Sequence, residues 1–252
     1  MFFMFFLKTL ASYFKISVYN GLIKQKGAVN MNKIQLMYDV IKTMKEKNGF
    51  QGTLKAEGSK DQVKIFNIDR EFAKNAASGA VTVKTDTRID YEGKTVKRES
   101  NTELNLKDFD ETKHPGLRRL MRRRHGMHFD GLKGGLNRFS LLLHLLNSMN
   151  LEEKEDQSYT LSLNLDGFPQ ELREIMDNKM NRQELGPYFE NSPLQELIEK
   201  IRSIKDPIFK LNLVINKNHE VEKMVREFNG KLKDENNTEH AWNIKTELSL
   251  AW

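Results

Sequence analysis

Cysteine is absent from the 252 residues. Its absence excludes disulfides, a thiol nucleophile and any thiolate-bound metal. Also missing is an apolar run of the ~20 residues that a helix needs to cross a bilayer. The nearest approaches, Met1 to Leu7 (MFFMFFL) and Leu136 to Met149, are both too short. No basic residue precedes the first run and no small-residue cleavage site follows it, so it does not read as an export signal. No phosphate loop with a Gly-Lys-Ser/Thr ending occurs, and no carboxylate pair or Ser/His/Asp set converges. Catalysis therefore has no candidate centre, and the expectation is a non-enzymatic protein without a cofactor.

Acids are unevenly missing too. Residues 1–30 carry Lys8, Lys15, Lys24 and Lys26 and no acid, a charge of +4. Residues 113–138 hold Lys113, Arg118, Arg119, Arg122, Arg123, Arg124, Lys133 and Arg138 against Asp130 alone, a charge of +7. With +6 for the whole chain, the remainder is −5, so the high isoelectric point reports two patches rather than a basic protein. Residues 1–30 read as an extension outside the fold, or as an interfacial anchor with Phe and Lys on opposite sides. The body is then one domain over 31–252 with a basic loop-helix insertion at about 108–135, in a cytoplasmic protein or one held at a membrane surface by its start.

The positive signals are mostly those of strands. Trp242, Ile244, Thr246, Leu248, Leu250 and Trp252 share one parity, with Asn243, Lys245, Glu247 and Ser249 between them. That period of two predicts a strand with one apolar face. Phe209 to Ile215 alternates in the same way, Asn216-Lys217-Asn218 reads as a turn, and Val221 to Leu232 runs back. Phe50 to Gly58, Val63 to Ile68 and Tyr159 to Leu165 are further strands. Val81 to Tyr91 and Thr95 to Leu106 form a hairpin around Glu92-Gly93-Lys94. Glu152 to Asp156 reads as an acidic turn.

Five stretches read as helical. Among them are the short Leu117 to Arg124, with Leu117, Leu120 and Met121 inward, and one opened by Pro169 with Leu172, Ile175, Met176 and Met180 on one face. Ile34, Met37, Tyr38, Ile41 and Met44 recur at helical spacing within Asn32 to Lys47, and Asn48-Gly49 ends that segment. Leu136 to Met149 is apolar all round and is expected to be buried on more than one face. Ser192-Pro193 opens the last helix, which buries Leu194, Leu197, Ile198, Ile201 and Ile204. Phe139, Leu142, Leu143, Ile198, Leu213, Ile244 and Leu248 are accordingly the expected core or cavity lining. The fold class expected is α+β, an antiparallel sheet with helices packed across one face.

Charge supplies the one non-generic candidate site. Arg118, Arg119, Arg122, Arg123, Arg124 and Lys133 are dense enough to neutralise phosphates of RNA, DNA or anionic lipid. No aromatic residues interleave with them to stack bases. His125 and His128 share a spacing that suits a metal, but no third ligand is evident and the arginines repel a cation, so no metal site is assigned.

The order of elements carries a resemblance. A helix (Asn32 to Lys47), the Gly-bearing strand Phe50-Gln51-Gly52-Thr53-Leu54 and then successive hairpins with inserted helices resemble lipoprotein carriers of the LolA and LprG type. The resemblance covers most of residues 32–252 and rests on element order rather than on a motif, so no binding residue transfers. It implies a strongly curved half-barrel sheet wrapped around helices, and a non-catalytic role in holding an apolar, lipid-like ligand or a protein partner. The alternative is an adaptor that binds nucleic acid or anionic membrane through 113–138.

Overall fold

The architecture follows from how the strand runs pair. The structure, a computed structural model, describes residues 28–75, 77–105, 144–166, 197, 200–201, 203–234 and 236–252. Helix α1 (Ala28–Glu46) leads into four strands: β1 (Gly49–Lys60), β2 (Val63–Asn75), β3 (Ala80–Tyr91) and β4 (Lys94–Asn105). Five more follow: β5 (Asn150–Glu153), β6 (Tyr159–Asp166), β7 (Lys205–Ile215), β8 (Val221–Lys233) and β9 (Glu239–Ala251). All nine form one antiparallel sheet in the order β4-β3-β2-β1-β9-β8-β7-β6-β5. Two meanders, β1–β4 and β5–β9, are thus joined where the first strand pairs with the last, from Gln51 opposite Ala251 to Lys60 opposite Trp242.

The tight turns are set by backbone geometry. A two-residue antiparallel turn matches the strand twist when both of its residues take positive φ. Glu92 and Gly93 do so at 49° and 73°, and Asp61 and Gln62 at 50° and 69°. Asn216 accepts bonds at its Oδ1 from the backbone N–H groups of Asn218 and Glu220, both at 3.0 Å, and so holds the β7–β8 turn.

Directly opposite residues share a sheet face, so register assigns sides. Leu165, Phe209, Phe228, Ile244, Gly58, Phe66 and Ile89 form one cross-strand row. Leu161, Leu213, Met224, Leu248 and Leu54 form another on the same side. This is the inner face. Two apolar clusters lie on it. The first joins Leu36, Met37, Val40 and Ile41 of α1 to Leu161, Leu163, Leu211, Leu213, Ile215 and Met224, with Leu145 and Leu146. The second gathers Ile65, Phe66, Ile89, Tyr91 and Trp242 under Leu197 and Ile204.

Glycines mark where large side chains lie flat on the sheet. A Cβ on Gly58 would sit 2.0 Å from the Phe66 ring, and one on Gly230 would sit 2.2 Å from Ile204 Cγ2. Polar ties fix α1 at both ends. Lys33, itself buried, donates to the carbonyls of Met149 and Asn147. Lys47, just past the helix, pairs with buried Glu220 at the β7–β8 turn. Hydrogen bonds from Asn216 and then Lys47 hold the Glu220 carboxyl below its ordinary value.

Among the described residues, the expected strongly curved half-barrel with helices packed across one face is not what the chain builds. The sheet is open, neither closed nor strongly curled, and α1 is the one long helix among the described residues. The physical reason lies in β4, whose inner positions include Arg98, Ser100 and Thr102, all exposed. With Val96 and Leu104 as the apolar residues at the two ends of this parity and polar ones between them, the middle of that edge has nothing apolar to curl around. Two local expectations also shift. The acidic Glu152 to Asp156 segment contributes its first two residues to β5, since Asn150–Glu153 pairs with β6, and the turn follows it. The deepest face of α1 is Lys33, Leu36, Met37, Val40 and Ile41, with Ile34, Tyr38 and Met44 on its flank.

Candidate functional site

The inner face is not uniformly closed. At the end of the β1–β9 seam, Phe50, Leu54, Phe72, Leu248, Leu250 and Trp252 are all half-buried. Alternation brings them together: Leu54 faces Leu248, and Gly52 lies between Leu250 and Phe72. A Cβ on Gly52 would sit 2.9 Å from both the Leu250 and Phe72 side chains, so the glycine lets them approach the strand. Phe50 meets Phe72 edge-on at 6.0 Å and Trp252 at 5.7 Å. The Trp252 indole N–H donates to the Val221 carbonyl at 2.8 Å, which anchors the last residue to β8.

Beside this patch the apolar face carries a charge. Arg226 stands opposite Leu211 on one side and Thr246 on the other, and the row continues through Ala56 and Ile68. Its neighbours two residues away along β8 are Met224, of the first cluster, and Phe228, which packs against the second. Arg226 therefore occupies the seam between the clusters. Its Nε is buried with no hydrogen-bond partner. Burial lowers the guanidinium pKa, and no acid opposes that effect. Thr160 Oγ1 and Trp242 Nε1 are also buried without partners among the described residues, but Arg226 alone of the three is charged.

No family model matches this chain, and no curated protein does either. The site is thus read from its own chemistry.

The sequence-predicted residues fall unevenly. Arg118, Arg119, Arg122, Arg123, Arg124, Lys133, Phe139, Leu142, Leu143 and Ile198 lie outside the described residues, as do His125 and His128. Leu213 is buried in the first cluster and Leu248 packs against it, while Ile244 packs against the second. Sequence reasoning missed Arg226. The signal was present, because Met224, Arg226, Phe228 and Leu232 share one parity within β8.

The outer face of β2–β4 is mostly polar. An open cavity of about 540 Å³ on the β2–β4 side is lined by Asp69, Glu71, Lys84, Asp86 and Glu99. No group of three His, Asp or Glu among the described residues is arranged to hold a metal. At the end of the sheet that carries the β1–β2 and β8–β9 turns, His240 lies between two carboxylates. Its Nδ1 is 2.5 Å from Asp61 Oδ2 and its Nε2 is 3.3 Å from Asp234 Oδ2. The two hydrogen bonds, to Asp61 first and then to Asp234, raise the imidazole pKa. Among the described residues no helix is long and apolar enough to cross a membrane.

Proposed function

We propose that the chain is a non-catalytic binding domain that takes an apolar ligand on the inner face of its sheet. The observation that carries this reading is the contiguous half-buried patch of Phe50, Leu54, Phe72, Leu248, Leu250 and Trp252. Apolar groups gathered on one face and left part-wet favour an apolar occupant, which removes the remaining surface from water. The aromatic members give the patch a firm wall at low conformational cost.

The test uses a neutral, environment-sensitive dye, N-phenyl-1-naphthylamine. Its fluorescence should rise on mixing with the wild-type protein. Leu54→Glu places a charge in the patch and should abolish the rise. Thr53→Glu, one residue away on the exposed outer face, should leave it unchanged. No rise with the wild type, or equal loss in both variants, would remove the small-ligand reading and leave the patch to a protein partner.

A further inference from the structure

Arg226 is hard to account for as a piece of the fold. A charge taken out of water costs free energy unless a partner repays it. An arginine stem can pack on apolar neighbours while its head reaches water, but here Nε is itself shielded and unsatisfied. Shape alone would favour Met or Leu between Leu211 and Thr246. The guanidinium fork has a fixed geometry that fits a carboxylate with two parallel hydrogen bonds, and no acid among the described residues supplies one.

The surroundings define what the missing anion is attached to. Thr246, opposite Arg226, begins the inner-face series Thr246, Leu248, Leu250 and Trp252 on β9. At ~3.4 Å per residue this series runs for about 20 Å. Leu54, Gly52 and Phe50 of β1 flank it on the same face. Arg70 opposite Leu54 and Lys74 opposite Phe50 share this face but are exposed, so Arg226 is its shielded charge. A shielded charge at one end of a long apolar strip has the pattern of an amphiphile in negative.

We infer that Arg226 is the head-group receptor of a fatty-carboxylate site, with the acyl chain lying along β9 toward Phe50 and Trp252. This rests on the reading of the inner face as an apolar-ligand site and adds the chemical class of the ligand. Binding replaces the water lost by the guanidinium with a charge-assisted pair. It also covers the half-buried patch.

The experiment compares cis-parinaric acid with its methyl ester, two fluorescent probes that differ in the charge of one end. Binding of each is followed to the wild type, to Arg226→Met and to Lys55→Gln, which removes one positive charge from the exposed opposite face. The wild type should bind the acid about tenfold or more tighter than the ester. Arg226→Met should bring the acid down to the level of the ester, and Lys55→Gln should keep the preference. Arg226→Lys, which keeps the charge without the fork, should fall between. Equal binding of acid and ester by the wild type would overturn the inference and leave the apolar site standing, whatever the variants do. A preference that survives Arg226→Met in a folded protein would overturn it too. Binding of neither probe would remove both the inference and the reading beneath it.

Discussion

His240 shows how one side chain couples two turns that are far apart in sequence. With Asp61 on one ring nitrogen and Asp234 on the other, both nitrogens serve best as donors, which is the protonated state. Asp61 is also bound to β9 by its own amide, at 2.9 Å from the Ala241 carbonyl, and by its Oδ1, which accepts the Ala241 N–H at 2.8 Å. A histidine pKa raised on folding gives stability that is fully present below the unfolded value of about 6.5 and is lost as pH rises through the folded one. The carboxylates of Asp61 and Asp234 are depressed, so their share is present above their unfolded values and lost as pH falls through the folded ones. The clamp therefore works in the acidic window between the two. The melting-temperature gap between wild type and His240→Gln should be widest near pH 5 to 6 and close toward alkaline pH. A gap independent of pH would show that the ring acts through packing alone. At the same scale, Gly58→Ala should cost about 1–3 kcal/mol in urea unfolding, because its methyl group meets the Phe66 ring. Adding Phe66→Leu should make the alanine better tolerated.

At the scale of elements, the first cluster depends on α1. Met37 and Val40 are wholly buried against the sheet, whereas Lys42 is exposed. Met37→Ala should then cost about 2–5 kcal/mol, and Lys42→Ala no more than about half a kcal/mol. Equal small losses would mean that the helix is not seated as described. The helical period was plain in the sequence, and its stop came within a residue or two of Asn48-Gly49. The exact seat was less legible. Leu36 and Val40 lie deepest beside Met37 and Ile41, and Lys33 is buried with them. A lysine reads as a surface residue until the carbonyls of Asn147 and Met149 arrive from more than a hundred positions away to receive it. The period locates a face to within part of a turn, and the partner chooses the rest.

For the molecule as a whole, the central fact is the pairing of the first strand with the last. It places β1 and β9 in the middle of nine strands, while β4 and β5 lie at the edges. Hydrogen exchange should find the amides of β1, β8 and β9 most protected and those of β4 least, since edge strands open without breaking the sheet. Fast exchange throughout β9 would contradict the topology. The β4 edge is long but carries Lys97, Arg98 and Glu99, exposed charges that discourage pairing with another chain. Replacing those three by Val, Thr and Val should raise light scattering on mild heating, and an unchanged signal would show that the edge is protected some other way.

What the sequence determined by itself was local and periodic. Alternation in Phe209 to Ile215 and in Trp242 to Trp252 set which side chains face inward, and Glu92-Gly93 set a turn, because these depend on neighbours within a few residues. Arg226 shares the apolar parity of β8 with Met224 and Phe228, but that parity alone did not mark it out as a site. The tertiary structure decided the rest. Curvature was not legible: the same alternation serves an open sheet and a half-barrel, and the outcome turns on what each strand meets on its inner side. Strand order was not legible either, because pairing of β1 with β9 joins residues nearly two hundred positions apart. Only that pairing lays the strip from Arg226 and Thr246 beside Leu54 and Phe50, and so turns one parity into a site.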